Sequence, residues 1–115
     1  MDDCLFCKIV TGDIPATVVH RTDTTVAFAD IAPQAPVHIL VIPTAHHVDA
    51  AALVRADPAL AADVLATAAQ VAEAEGLTAD GYRIIFNSGR HAGQEVPHVH
   101  AHVLGGTPLG PIVAG

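Results

Sequence analysis

At 115 residues, with 51% apolar but only 3% aromatic residues, the chain suits one compact domain, residues 1–115, with a core of Val, Ile, Leu and Ala. Twelve Asp and Glu against five Lys and Arg give a formal charge of −7. That balance argues against a nucleic-acid backbone as partner, yet leaves room for one small phosphate held by backbone N–H groups and imidazoles. No apolar run approaches the roughly 20 residues of a membrane span. The acidic start, Met1-Asp2-Asp3, is the reverse of a secretory signal, so a cytoplasmic location is expected.

In chain order, Cys4 to Ile9 reads as a short helical turn whose Leu5, Phe6 and Ile9 cover a pocket or core edge, ended by Thr11-Gly12-Asp13. Residues 16–20 and 25–30, rich in Val and Thr, form a hairpin. The segment Ile31-Ala32-Pro33-Gln34-Ala35-Pro36 must be a loop, because its prolines cannot donate to a ladder. Residues 37–42 form a buried strand stopped by Pro43. Asp57-Pro58 is an N-cap followed by Pro at N1, and Leu60, Val64, Ala68 and Val71 recur at helical spacing, which gives a helix over 58–75. Strands at 81–87 and 99–104 flank a glycine-containing loop. Five strands in mostly hairpin order with one long helix define an antiparallel α+β domain.

The chemistry concentrates at His98-Val99-His100-Ala101-His102. On a strand these imidazoles share one face, and burying three of them as a plain core stripe carries a heavy desolvation cost, so they line a cleft. Convergence on Zn²⁺ with an open coordination position is an alternative that spacing alone leaves open, as is a chance cluster on a solvated face. Asn87 and the loop Gly89-Arg90-His91-Ala92-Gly93-Gln94 supply donors and a backbone that can approach a ligand closely, which favours phosphate. His20, His47 and His91 read as surface or loop residues, and His38 alone as a satisfied core histidine. Cys4-Leu5-Phe6-Cys7 is half of a zinc site, with His46 or His47 and His98 as candidates for the rest. A redox pair or two buried thiols are its other readings.

The complete match of His98 to Leu104 to a His-φ-His-φ-His-φ-φ pattern, φ being apolar, resembles the histidine-triad superfamily. Further likeness runs through Phe28-Ala29-Asp30-Ile31, Pro33-Gln34-Ala35-Pro36, His38, Asn87 and Gly93-Gln94-Glu95-Val96. The ending Leu104-Gly105-Gly106 with Pro108-Leu109-Gly110-Pro111 is most like the Hint branch, which hydrolyses nucleoside phosphoramidates. The resemblance implies a purine nucleotide substrate and attack on its α-phosphorus by His100, through a covalent nucleotidyl-histidine. It further implies that His38 and His102 orient phosphate and imidazole and that His98 supports them. Asp30 would hold the ribose hydroxyls, and Phe6, Ile9, Ile14, Phe28, Ile31 and Leu40 would line the base pocket. Asn87, Gly93, Gln94 and Val96 match phosphate-side contacts.

Glu95 stands where several Hint proteins carry Ser on the leaving-group side. Pro97 is more like the dinucleoside-polyphosphate hydrolase branch, and the tail lacks the Trp of some relatives. By the same resemblance, Cys4, Cys7, His46 and His98 make a closed structural zinc site, with no organic cofactor, and the chain forms a symmetric homodimer through its long helix and last strands. Dinucleoside-polyphosphate hydrolysis is the competing activity. A nucleotide- or zinc-binding interaction module without useful turnover is the competing class.

Overall fold

The computed structural model describes residues 3–112. Helix α1, Leu5–Thr11, opens at Cys4, whose sulfur accepts the Cys7 backbone N–H, and closes at Gly12, which has a φ of 85° and so occupies the left-handed region glycine tolerates. Strands β1, Val18–Arg21, and β2, Thr25–Ala29, form the expected hairpin, and β3 runs Val37–Pro43. Helices α2, Ala50–Ala56, and α3, Pro58–Ala74, follow, then β4, Tyr82–Phe86, a short 3-10 turn at Arg90–Ala92, and β5, Ala101–Gly105. The five strands make one antiparallel sheet in the order β1-β2-β3-β5-β4. The expected α+β architecture is the observed one.

The period-2 alternation of the strands divides the core in two. Ala27, Ile39, Val41, Ala101 and Val103 face α2 and α3, where Leu53, Leu60, Val64, Ala68 and Val71 meet them. Val26, Phe28, Leu40 and Ile42 face the opposite way, under Phe6 and Ile9 of α1. Thr25 and Thr67, both buried, tie sheet to helix through a 2.8 Å hydroxyl–hydroxyl bond, so neither leaves an unsatisfied polar atom. Register pairs Leu40 with His102 and His38 with Leu104, which places both histidines on the α1 face.

Two features differ from the reading of the sequence. The stretch before Asp57 is a separate helix, α2, capped by Asp49 accepting from Ala52 N at 2.9 Å. Asp57 ends α2 and also caps α3, accepting from Leu60 N at 3.0 Å. Its ψ of 83° is non-helical, as a residue preceding proline prefers. The last strand begins at Ala101 instead of Val99, because Val99 N–H bonds His47 O at 2.7 Å rather than a ladder partner. Among the described residues no helix is long and apolar enough to cross a membrane.

Candidate functional site

Between α1 and the sheet lies a cleft of about 490 Å³, within the range of small-molecule sites. Phe6, Ile9, Ile14, Phe28, Ile31 and Leu40 form its apolar part, and Asp30, His38, His100, His102, Asn87, Gly93, Glu95 and Val96 also line it. The sequence did not single out Pro15, Ala16, Ala29, Ala32 and Gln34, which join the lining. Two of the named residues lie elsewhere. Gln94 turns its amide to the backbone, donating to Val48 O at 2.7 Å and Val96 O at 3.1 Å and accepting from Gly89 N at 2.9 Å. It holds the loop that presents Gly93 and Glu95. His98 is fully buried behind His100.

Backbone partners fix the imidazole tautomers, because a carbonyl can only accept and a backbone N–H can only donate. His100 Nδ1 lies 2.8 Å from His98 O, so Nδ1 carries the proton and Nε2 keeps its lone pair. The Gln34 N–H donates to His38 Nδ1 at 3.0 Å, which puts the His38 proton on Nε2. That Nε2–H donates to His102 Nδ1 at 2.9 Å, with Asp30 Oδ2 at 3.4 Å beside it. His102 therefore bears its proton on Nε2. The two sets of bonds leave one unprotonated nitrogen, His100 Nε2, and one N–H donor, His102 Nε2.

Phe6 packs edge-on against His100 with ring centroids 5.0 Å apart, and also contacts His98 and Phe28, so α1 restrains the imidazoles as well as the apolar wall. Asp30 Oδ1 accepts from Ala32 N at 2.8 Å. The carboxylate thus caps the turn into the proline loop while it lines the cleft.

Burial lowers the pKa of His100, partly offset by its bond to His98 O and then by the charges of Asp30 and Glu95, so the neutral ring is the resting form at neutral pH. Burial, with the like charges of neighbouring imidazoles, brings His102 down to about 4. His98 also falls to about 4, chiefly through burial. Unfolded imidazoles gain protons near 6.5, whereas these two resist protonation until about 4. Stability of metal-free protein is therefore fully present above pH 6.5 and falls as the pH drops toward 4. Melting temperatures in chelator at pH 7.5 and pH 5 should show that fall, and His102→Gln should reduce it. An unchanged melting temperature across that interval contradicts the assignment.

The second cluster lies under α1. Cys4 Sγ is 3.3 Å from His98 Nδ1, and Cys7 Sγ is 3.6 Å from the same atom and 3.5 Å from His46 Nδ1. All four ligand atoms lie within 4.8 Å of one another. Tetrahedral Zn²⁺ with ordinary Zn–S and Zn–N bonds implies S···N edges of about 3.6 Å, so the observed spacings fit one ion. His98 Nε2 donates to Pro43 O at 3.0 Å, which aims the Nδ1 lone pair at the sulfurs as an outer partner of a metal-bound histidine does. Without an ion the Cys7 thiol is pushed up, first by burial and then by the Cys4 sulfur. Asp30, His38 and His102 also converge, but His38 Nε2 and His102 Nδ1 are already joined by a hydrogen bond.

Comparison with known proteins matches this architecture. The HIT domain family model covers residues 11–109. The purine nucleoside phosphoramidase of Escherichia coli (strain K12) is 46% identical over 118 residues, spanning 98% of this chain and 95% of that protein. Among solved structures, a HIT family hydrolase from Legionella pneumophila Philadelphia 1 is 47% identical, with a TM-score of 0.90 over 94% of this chain and 96% of its own. A HIT family hydrolase from Clostridium thermocellum is 38% identical, with a TM-score of 0.93 over 99% of both chains. With sequence, sheet order and triad in agreement, the chain belongs to the HIT domain family, whose solved relatives include hydrolases.

Proposed function

We propose that the chain is a single-domain hydrolase of purine nucleoside 5′-phosphoramidates, acting through a covalent nucleotidyl intermediate on His100. The observation that carries this reading is the His100 ring, restrained by Phe6 and by its 2.8 Å bond to His98 O, with Nε2 left as a lone pair in a cleft of small-molecule size. The similarity to a phosphoramidase supports the leaving-group class.

The base lies among Phe6, Ile9, Ile14, Phe28, Ile31 and Leu40, the ribose against Asp30, and the α-phosphate between His100, Asn87 and the 93–96 loop. His100 Nε2 attacks phosphorus and the P–N bond breaks. Its electron pair goes to the amine nitrogen, which takes a proton from solvent. Water then adds to phosphorus, releases the nucleotide and restores the imidazole, so the sum is one P–N bond hydrolysed by one water. His102 Nε2–H hydrogen-bonds the phosphate oxygens, where negative charge accumulates in the transition state. His38 keeps that N–H in place by occupying His102 Nδ1.

Cys4, Cys7, His46 and His98 would hold Zn²⁺, which would supply charge for the thiolates and a brace for the strand, outside the chemistry. The cytoplasm, where thiols remain reduced, suits such a site. The proposed assembly is a symmetric homodimer, a reading supported by β4 at the sheet edge and by Leu65 and Val54, about half exposed on the helices.

The test is turnover of an AMP-amine and of its 2′,3′-dideoxy counterpart. The parent should release AMP and prefer the ribose form. Asp30→Asn keeps an oxygen for the turn but removes the charge, and should lower that preference by about tenfold, the scale of one charge-assisted hydrogen bond. Absence of turnover rejects the hydrolase reading. An unchanged ribose preference rejects the role of Asp30.

A further inference from the structure

None of the five Lys and Arg residues of the chain lines the nucleotide cleft, whereas two carboxylates, Asp30 and Glu95, do. Arg83, near the end of the sheet, is occupied with Gly110 O at 2.7 Å. The two acids stand in different surroundings. Asp30 is half-buried and spends its oxygens on Ala32 N and His38, inside the ribose region. Glu95 is exposed on the β4–β5 connection, and among the described residues it makes no ion pair. It lines the cleft together with Asn87, Gly93 and His100. Its charge is felt at His100, where it favours the protonated ring. With the α-phosphorus at His100, as proposed, the leaving group lies in a cleft whose His100 feels the Glu95 charge and whose lining holds no Lys or Arg.

We infer that Glu95 is a specificity-determining residue that selects leaving amines carrying a second, protonated amino group, and that the cleft discriminates against anionic leaving groups. The inference rests on the proposed hydrolysis of nucleotidyl-amines and names the substrate class within it: AMP linked to one nitrogen of a diamine or of another cationic amine. A nucleotide joined to a further phosphate chain brings extra negative charge to the place where Glu95 adds more, which ranks dinucleoside polyphosphates last. The attraction is that of an exposed ion pair, so its effect is a preference of about fivefold, screened by salt.

Three substrates of matched length test it: AMP joined through a P–N bond to 1,4-diaminobutane, to butylamine and to 4-aminobutyrate, with diadenosine polyphosphate as a fourth. At low salt kcat/KM should run cation over neutral over anion, with the polyphosphate poorest. The cation-to-neutral ratio should fall toward one as salt approaches 0.5 M, an ionic strength that shortens screening to a few ångströms, by about half the distance it has at physiological salt. Glu95→Gln should lower that ratio by about fivefold, and Glu95→Lys should reverse the order of cation and anion. Intrinsic differences among the three amines cancel in the comparison of parent with variant.

Equal turnover of all three amines by the parent overturns the inference while leaving phosphoramidate hydrolysis standing. A cationic preference that survives Glu95→Gln and high salt removes Glu95 from the account. Hydrolysis of none of the amines defeats the underlying reading, and this inference with it.

Discussion

His100→Asn should bind AMP with nearly the affinity of the parent and hydrolyse AMP-amines at least about 10⁴-fold more slowly, the scale on which enzymes lose kcat with their nucleophile. The asymmetry has a structural cause. The ring is held by Phe6 on one side and by the His98 carbonyl on the other, and an Asn side chain can still reach that carbonyl, so the wall of the cleft persists. What disappears is the unprotonated Nε2. In the proposed binding mode affinity rests on the apolar wall, on Asp30 and on the 93–96 loop, of which only Phe6 packs against the substituted ring. Calorimetry with AMP and single-turnover kinetics measure the two quantities separately. Joint loss of binding and turnover would make His100 a ligand-holding residue, and retained turnover would remove it from the chemistry.

Protein purified without added metal should carry about one Zn²⁺ per chain, and Cys7→Ser should lose it. Thiolate and imidazole ligands must shed protons to bind, so acid or a strong chelator should strip the ion and lower the melting temperature together. Free zinc at a thousandfold its dissociation constant adds about 4 kcal/mol to stability, on the order of 15 °C for a domain of this size. His100→Asn should keep its zinc, since His100 faces the cleft while His98 faces the sulfurs. Elemental analysis of both variants beside the parent distinguishes the possibilities. Zinc lost from His100→Asn but kept by Cys7→Ser would move the ion to the triad, and no zinc in any of them would leave Cys4 and Cys7 as thiols under α1.

Alternation is local, and it placed His100 and His102 on the cleft as the sequence suggested, but His98, which like His100 precedes the ladder, turns to the sulfurs instead. The His98 ring is held by Pro43 O, the intervening Val99 N–H by His47 O, and the His100 ring by His98 O, instead of by a neighbouring strand. Pro43 and His47 lie about fifty residues away in the chain, and no local pattern announces them. The same holds for His38. Its place in an apolar run reads as core, and burial agrees, but its proton position depends on the Gln34 backbone in the proline loop. The resemblance marks Asp30 only as a ribose contact, and the structure adds a turn cap while leaving it on the cleft wall.

Gln94 shows the opposite failure. A polar residue beside a glycine suggests a ligand contact, yet three backbone groups claim its amide, and only coordinates reveal that competition. Helix α2 escaped notice because Asp57-Pro58 was read only forward, as the start of α3. A residue held non-helical by a following proline closes one helix as readily as it opens the next.

The most direct test of the account is mass spectrometry of the protein quenched in acid-free denaturant during turnover of an AMP-amine. Neutral quenching matters because a phosphorus–nitrogen bond to histidine is labile in acid. The account predicts a transient gain of one nucleotidyl group, mapped by peptide sequencing to His100 and absent from His100→Asn. A nucleotidyl group on His98 or His102, or AMP released at the full steady-state rate with no adduct at any time, would contradict it.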